Sequence, residues 1–318
     1  MDFIDDFKSS LFHINEETFE DSSLALFDFQ YHNNQIYKSY CDSIKKPARK
    51  VKEFNSIPFL PIEFFKSQSV RSSRKTIQNT FKSSGTTGAT RSSHYVTDLD
   101  FYHEVCRKIF YDFFGKLENY TLIALLPSYL EQGNSSLISM VNNFMKYSEA
   151  NSSFFLDREI HQKIESSNNI ILFGVSYALL DLPKISTEKK LTVIETGGMK
   201  GRKKEITRME LHEVLREKFN VQVIWSEYGM TEIFSQAYGQ NGVFKLPGWS
   251  SVKIREINDP FSYLVDGKSG GINLIDLANI ESCAFIETKD IGIVQKNESF
   301  EVLGRFDNSD VRGCNLLV

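Results

Sequence analysis

The chain has 318 residues, of which 41% are hydrophobic and 25% charged, with a net charge of −4 at pH 7. This composition is typical of a globular protein that buries a sizeable core, and it excludes the basic surface that broad nucleic-acid binding requires. The N-terminus carries no signal-peptide pattern, and no run of about 18 apolar residues occurs, so we expect a cytoplasmic protein without a membrane span.

The first 70 residues are predicted to form helices and connecting loops. The apolar stretch 57–65 contains Pro58 and Pro61, which are incompatible with a helix interior, so we predict an extended connector that lies against the core. Residues 82–93 are small and polar and are predicted to form a loop. After Thr97, apolar residues recur at helical spacing until Gly115, which predicts a helix that ends there.

Four short apolar runs follow at 121–127, 169–180, 190–198 and 221–229. Because amphipathic stretches separate these runs, we predict parallel strands in an α/β core. The helix predicted between the last two strands places six apolar residues along one side: Ile206, Met209, Leu211, Val214, Leu215 and Phe219. Beyond residue 240, turn sequences alternate with short apolar segments. This pattern predicts an antiparallel β region, with one of its turns at 301–308.

The loop Ser83-Ser84-Gly85-Thr86-Thr87-Gly88 combines backbone N–H groups and four hydroxyls with two flexible glycines. Such a loop can wrap the oxygens of a polyphosphate, and it is therefore a candidate ATP-binding loop. It is not a Walker loop, because its glycine spacing and following residues do not match GxxxxGK[ST]. Taken alone, the segment is explained equally well as a solvated loop.

Four segments, in order, resemble motifs of the adenylate-forming superfamily. SSGTTGATR at 83–91 is similar to its phosphate loop, and EYGMTE at 227–232 to its YGxTE motif. TKDIG at 288–292 resembles TGDxG, and GRFD at 304–307 resembles the GRxD hinge.

Within that superfamily, the chain most resembles the acyl-protein synthetase (LuxE-type) family. The likeness is carried by IPFLPIEFFKS at 57–67, LPSYLEQGNSSLISMV at 126–141, ETGGMKGR at 195–202 and the ending VRGCNLLV, in addition to the motifs above. It implies an α/β fold like the N-terminal domain of adenylate-forming enzymes, with parallel sheets, flanking helices and a small antiparallel β region. The usual mobile C-terminal domain is not expected. Residues 1–303 would form the adenylation domain, with 1–70 as a helical lead-in, and 304–318 a hinge-like segment and short tail.

The resemblance implies an enzyme that uses ATP and Mg²⁺ to convert a fatty or aromatic carboxylic acid to an acyl-adenylate. Glu232 would ligate Mg²⁺, a hard cation that prefers carboxylate and phosphate oxygens, and Thr231 would hydrogen-bond the α-phosphate. Tyr228 would pack on the adenine, and Asp290 would accept hydrogen bonds from the ribose. The residues assigned to nucleotide contacts are Ser83, Ser84, Gly85, Thr86, Thr87, Gly88, Arg91, Gly197, Gly198, Tyr228, Gly229, Asp290 and Arg305.

Each of these assignments has a structural alternative. Glu232 could offset a helix dipole, Asp290 could close an Asx-turn, and Tyr228 could belong to the core. Arg305 and Asp307 could form a turn ion pair. The three histidines His94, His103 and His161 show no triad spacing, and GxSxG is absent, so a serine hydrolase is not predicted.

Two departures from the superfamily bear on mechanism. Its members carry a catalytic lysine in a domain after the hinge, whereas no lysine follows Lys296 in this chain. The candidate replacements are Arg91, Lys200, Arg202 or a group supplied by a partner. The phosphate loop also ends in Ala-Thr-Arg where the superfamily usually has x-Pro-Lys, which favours fork-like phosphate contact by arginine.

Acyl-protein synthetases resemble this chain in carrying a cysteine close to the C-terminus that accepts the acyl group as a thioester. Here that residue is Cys314, beside Arg312, whose positive charge would favour the reactive thiolate. The acceptor could instead be a partner protein, such as a reductase, or coenzyme A, which the missing domain disfavours. A small buried hydrophobe is the alternative for Cys314, and a non-catalytic nucleotide- or acyl-binding subunit of a complex is the alternative for the chain.

Overall fold

The first part of the protein is helical, as the sequence predicts. A computed structural model describes residues 2–84, 90–126, 134–150, 152–154, 160–197, 206–296 and 299–306. Helices α1 (Phe3–Ser10), α2 (Phe19–Asn33) and α3 (Gln35–Ser43) come first. Lys8 of α1 forms ion pairs with Asp98 at 2.8 Å and with Glu281 at 2.7 Å, which attach the N-terminal helix to the rest of the fold.

The proline-containing connector is extended at first and helical at its end. Strand β1 (Leu60–Pro61) pairs in parallel with Ile286 and Glu287, so the connector joins the main sheet rather than only lying against it. The short helix α4 (Phe64–Ser67) follows, which makes the last two residues of the predicted extended segment helical.

A hairpin and a long helix flank the candidate phosphate loop. Strands β2 (Asn79–Lys82) and β3 (Ser93–Val96) pair in antiparallel fashion with Lys82 opposite Ser93. Helix α5 (Leu99–Phe114) is capped by the carboxylate of Asp98, which accepts a hydrogen bond from the Phe101 N–H at 3.0 Å. The helix ends at Gly115, whose φ of 84° lies in the region that glycine tolerates best, so the predicted stop is confirmed.

The central part of the chain forms parallel strands with intervening helices, as predicted. The strands are β4 (Thr121–Leu125), β5 (Ser153–Phe154), β6 (Asn169–Val175), β7 (Lys190–Thr196) and β8 (Ile224–Tyr228), which lie in the spatial order β5-β4-β6-β7-β8. The helices are α6 (Ser136–Tyr147), α7 (Ile160–Glu165), α8 (Ser176–Asp181) and α9 (Arg208–Phe219).

Two sequence-based predictions for this region were wrong in part. The apolar run 169–180 is a strand only to Val175 and then turns into α8, because a buried helix and a buried strand are equally apolar. Helix α9 starts at a capping box made by Thr207 and Glu210 and buries Leu211, Leu215 and Phe219. However, Met209 is 72% exposed and Val214 is 44% exposed, so these two residues do not belong to its buried side.

The chain closes with the predicted antiparallel region. Its strands are β9 (Ala237–Gln240), β10 (Val243–Lys245), β11 (Ser250–Arg255), β12 (Ser269–Asp276), β13 (Phe285–Val294) and β14 (Phe300–Arg305). They continue the sheet beyond β8 in the order β9-β10-β14-β13-β12-β11. The predicted turn at 301–308 is wrong for residues 301–305, which form most of β14. The division of the chain after residue 303 remains a prediction.

The two faces of the sheet near β8 are covered by different helices. Trp225 contacts Phe113 and Phe114 of α5 on one face. Ser226, the next residue along β8, contacts His212 of α9 on the other face. This alternation follows from the two-residue period of a strand. In the part of the chain that the structure covers, no helix is both long and apolar enough to cross a membrane.

Candidate active site

Three parallel strands end at one edge of the sheet, where the candidate residues gather. Ser176 directly follows β6, Gly197 directly follows β7, and Tyr228 is the last residue of β8. In open α/β sheets, ligands bind outside the carboxyl ends of the parallel strands. Gly197 is exposed and has a φ of 67°, a left-handed conformation that glycine adopts without steric cost.

The side chains of Tyr228, Asp290 and Arg305 form a connected group. The Tyr228 hydroxyl donates a hydrogen bond to Asp290 Oδ2 at 2.7 Å, and Arg305 Nε lies 3.8 Å from Asp290 Oδ1. Asp290 and Arg305 are direct partners in the β13–β14 ladder. Burial raises the pKa of Asp290, whereas the Tyr228 hydrogen bond and the Arg305 charge lower it in part. Because Asp290 lies within a strand, the Asx-turn alternative is wrong.

The Tyr228 ring is half-buried and packs into an aromatic cluster. Its centroid lies 5.8 Å from that of Phe244 and 5.6 Å from that of Phe300. Tyr228 therefore contributes to local packing, as the structural alternative proposed, and also presents its hydroxyl to Asp290. This combination fixes the ring at the end of β8.

Glu232 is buried beside this group. The residue is 5% exposed, and residues 229–236 contain no helix, so the helix-dipole alternative is wrong. Burial raises the pKa of Glu232. A hydrogen bond from Ser92 and the charge of Arg305 lower this pKa, and the charge of Asp290 raises it. These interactions place Glu232 with Asp290 and Arg305, next to the end of the candidate phosphate loop.

His94 hydrogen-bonds the backbone of Thr231, the residue before Glu232, and this contact was not predicted from the sequence. His94 Nδ1 lies 2.8 Å from the backbone oxygen of Thr231, so Nδ1 must carry the hydrogen that it donates. The ring is 1% exposed and contacts Phe65 and Phe234. Burial lowers the pKa of His94 to about 4, so the ring is neutral at neutral pH. Its position on β3, two residues after Ser92, is the only sequence signal for this contact.

The base of the candidate phosphate loop is closed by reciprocal bonds. The Ser83 N–H donates to the Ser92 carbonyl at 3.1 Å, and the Ser92 N–H donates to Ser83 Oγ at 2.9 Å. Ser84 and Arg91 are exposed on the two sides of the loop. The other predicted residues of the loop and those of two further stretches, 198–205 and 307–318, lie outside the described residues: Gly85, Thr86, Thr87, Gly88, Gly198, Lys200, Arg202, Asp307 and Cys314.

A third carboxylate, Glu227, is the first residue of the EYGMTE segment, and no role was predicted for it from the sequence. The Thr196 hydroxyl, at the end of β7, donates a hydrogen bond to Glu227 Oε2. Burial raises the pKa of Glu227 to about 7, and the charge of Glu195 adds to this effect, while the Thr196 bond opposes it. An added Cβ at Gly229 would lie 2.5 Å from Glu227 Oε1, so this glycine leaves the space that the carboxylate occupies.

Solved structures identify the fold. ATP-bound MatB from Rhodopseudomonas palustris matches 73% of this chain at a TM-score of 0.56 and 17% sequence identity, over 49% of its own length. The O-succinylbenzoate coenzyme A synthetase (MenE) from Bacillus subtilis, in complex with ATP and magnesium ion, matches 73% at a TM-score of 0.54 and 18% identity, over 51% of its length. The chain has the fold of the N-terminal part of adenylate-forming enzymes, which confirms the predicted fold class, and it spans about half the length of these structures.

Sequence comparison narrows this class to one family. The family model of the acyl-protein synthetase LuxE matches residues 7–318, so the chain belongs to the acyl-protein synthetase (LuxE) family. The chain is 24% identical over 329 residues to the long-chain-fatty-acid–luciferin-component ligase of Vibrio harveyi, which covers 91% of this chain and 84% of that protein. Membership confirms the predicted resemblance and the prediction of an acyl-protein synthetase-like enzyme. The roles assigned to individual residues remain proposals.

Proposed function

We propose that this protein activates a long-chain fatty acid with ATP, forming an acyl-adenylate and pyrophosphate, and then transfers the acyl group to a thiol. The observation that carries the proposal is the convergence of Tyr228, Glu232, Asp290 and Arg305 at the carboxyl edge of the parallel strands. The family membership and the fatty-acid ligase relative from Vibrio harveyi support the substrate class.

Asp290 and Tyr228 are suited to hold the nucleoside. Asp290 keeps lone pairs beyond those used by Tyr228 and Arg305, so it can accept hydrogen bonds from the ribose hydroxyls. Tyr228 is fixed by Phe244 and Phe300, which leaves its ring preorganised for stacking. The exposed Gly197 turn at the end of β7 allows close approach of a ligand to the backbone.

The electrostatics around Glu232 fit a divalent cation. Mg²⁺ is usually held by one or two carboxylates together with substrate phosphate oxygens, so one buried glutamate is a sufficient protein ligand. Within the described residues, no cluster of three or more metal-binding side chains occurs. Burial disfavours the ionised form of Glu232, and a bound cation would restore it. A bound Mg²⁺ would neutralise part of the negative charge on the ATP phosphates.

Positive charge for the reacting phosphate must come from this chain or from a partner. Arg305 lies beside Asp290 at the site, with its side chain 63% exposed, and Arg91 is exposed at the end of the phosphate loop. A guanidinium contacts two phosphate oxygens at once. We therefore propose that these two arginines orient the triphosphate for attack by the fatty acid carboxylate on the α-phosphorus.

The thiol acceptor is proposed to be Cys314. The chain has four cysteines. Cys41, Cys106 and Cys283 are buried, and burial raises the pKa of Cys41 and Cys106 to about 12 and raises that of Cys283 further. Because only the thiolate is nucleophilic, these three are poor acceptors at neutral pH. In the transfer, the Cys314 sulfur forms a bond to the acyl carbonyl carbon, the acyl–phosphate bond breaks, AMP leaves, and the thiol proton passes to solvent.

Pyrophosphate exchange into ATP tests the activation step. Exchange in the presence of Mg²⁺ is expected to depend on long-chain fatty acids and to be weak with short or aromatic acids. Glu232→Gln keeps the shape of the side chain but removes its charge, and we expect it to lower the exchange rate by about tenfold or more. Exposed Glu217→Gln is the matched control. No exchange with any acid in folded wild-type protein would refute the proposed activity and favour the non-catalytic subunit.

Intact mass tests the acceptor separately. Incubation with ATP, Mg²⁺ and a long-chain fatty acid is expected to add one acyl group, which hydroxylamine removes because a thioester is labile to it. Cys314→Ser should abolish this adduct and preserve pyrophosphate exchange, whereas Cys106→Ser should retain both. An adduct that persists in Cys314→Ser would refute the assignment of Cys314 without affecting the activation step.

A further inference from the structure

A buried polar network lies directly behind the Gly197 turn. Ser176 Oγ lies 2.9 Å from Glu195 Oε2 and 2.9 Å from the Gly197 carbonyl oxygen. On the other carboxylate oxygen, Ser226 Oγ donates to Glu195 Oε1 at 2.6 Å. His212 Nε2 lies 3.2 Å from Ser226 Oγ and 3.5 Å from Glu195 Oε1. None of the four residues is more than 3% exposed.

The elements that carry this network explain how it forms. Ser176 begins α8 just after β6, and Glu195 lies near the end of β7, while Ser226 is its direct partner on β8. The network therefore ties together the three strand ends that define the candidate active site. A buried carboxylate is costly unless it is hydrogen-bonded and its charge is paired. The two serines and His212 supply the hydrogen-bonding groups, and Arg208 Nε, 3.8 Å from Glu195 Oε1, supplies the positive charge.

The network is unsuited to nucleophilic catalysis. Ser226 donates to the carboxylate of Glu195 at 2.6 Å and lies farther, at 3.2 Å, from His212. An activated serine must instead donate to the imidazole, which in turn is oriented by the acid. Ser226 is also 0% exposed, so no substrate reaches it. A positioning role is the function that this geometry allows.

We propose that Ser176 is a positioning residue for nucleotide binding, which rests on the proposed function of the Gly197 turn. Its single hydroxyl proton is shared between two acceptors at the same distance of 2.9 Å, the Gly197 carbonyl oxygen and Glu195 Oε2. Gly197 has a left-handed φ of 67° and is free of side-chain constraints, so an external hydrogen bond is what fixes its carbonyl direction. This bond constrains the Gly197 carbonyl at the end of β7.

Two serine-to-alanine variants form a matched test. Ser176→Ala and Ser226→Ala each remove one buried hydroxyl that lies within hydrogen-bond distance of Glu195, but only the Ser176 hydroxyl can also donate to the Gly197 carbonyl. We expect Ser176→Ala to weaken ATP binding, measured by calorimetry, by about threefold to tenfold, the size of one lost hydrogen bond. Ser226→Ala should lower the melting temperature about as much as Ser176→Ala does. It should, however, change ATP affinity less than about twofold.

Conservative variants provide the rescue. Ser176→Thr keeps the hydroxyl and should retain ATP affinity close to that of the wild type. Glu195→Gln keeps an acceptor for Ser226 and gains an amide N–H that can donate to Ser176, which leaves the Ser176 hydroxyl for Gly197. We therefore expect Glu195→Gln to bind ATP at least about threefold more tightly than Ser176→Ala. In steady-state exchange assays, Ser176→Ala should raise KM for ATP and leave kcat nearly unchanged.

Hydrogen exchange supplies a readout that requires no nucleotide. Amides of the peptide that contains Thr196 and Gly197 should exchange faster in Ser176→Ala and at the wild-type rate in Ser226→Ala. Equal effects of the two variants on ATP affinity and on exchange, or no effect of Ser176→Ala, would overturn the inference. Absence of ATP binding by folded wild-type protein would instead refute the proposed function. The hydrogen-exchange rates of the two variants would still decide whether Ser176 holds the Gly197 turn.

Discussion

Glu227→Gln is expected to change how the stability of this protein depends on pH. Burial raises the pKa of Glu227 from 4.5 to about 7, although the Thr196 hydroxyl donates to it. Because the folded state holds the proton more tightly than the unfolded state, the contribution is complete below about pH 4.5 and is lost as pH rises through about 7. At about 1.4 kcal/mol for each pH unit between these values, the full loss is about 3 kcal/mol.

Most of this loss falls in an accessible range. Between about pH 5 and about pH 8, the titration of Glu227 should cost the wild type about 2.5 kcal/mol. Glutamine cannot ionise, yet its carbonyl oxygen can still accept the Thr196 hydrogen bond. We therefore expect Glu227→Gln to be about as stable as the wild type near pH 5 and about 2.5 kcal/mol more stable near pH 8.

Urea unfolding at several pH values measures this difference. Burial also raises the pKa of Glu232 and Asp290, but these groups are present in both proteins and cancel in the comparison. Exposed Glu217→Gln controls for the loss of one negative charge. If the free energies of unfolding of the wild type and of Glu227→Gln run parallel from pH 5 to pH 8, Glu227 is not the half-buried, proton-binding group that we describe.

Three further changes test other contacts. Tyr228→Phe removes the hydrogen bond to Asp290 and should destabilise the protein by about 1–2 kcal/mol; a double-mutant cycle with Asp290→Asn that gives no coupling would contradict this. Lys8→Met leaves Asp98 and the buried Glu281 without their shared cation, so it should lower the free energy of unfolding by about 1–3 kcal/mol and speed hydrogen exchange in α1. Unchanged protection of α1 would argue against the docking role of Lys8. Gly229→Ala should displace the Glu227 carboxylate, because the new Cβ would lie 2.5 Å from its Oε1. We expect this variant to bind ATP severalfold more weakly than Ala237→Gly, a control at a buried strand position. Unchanged ATP affinity would show that Glu227 relocates without effect.

The sequence was informative wherever a local pattern reflects burial on one face. The strands β4, β7 and β8, the helix α5 and its stop at Gly115 all follow from apolar periodicity and from a single glycine. Apolar periodicity was uninformative where a segment is fully buried and misleading where an apolar residue is exposed. A fully apolar run gave no signal for the change from β6 to α8 at Ser176, and the exposed Met209 resembled a core residue.

The sequence by itself determined the class of fold and the order of the candidate motifs, because both depend on residue types that are close together in the chain. Only the tertiary structure decided which side chains meet. Tyr228 and Asp290 are 62 residues apart, and their side chains meet although β9 and β10 lie between β8 and β14 in the sheet. His94, Ser176, Glu195 and Glu227 acquire their partners in the same way. Strand register and helix placement fix these contacts over long sequence separations, and no local periodicity encodes them.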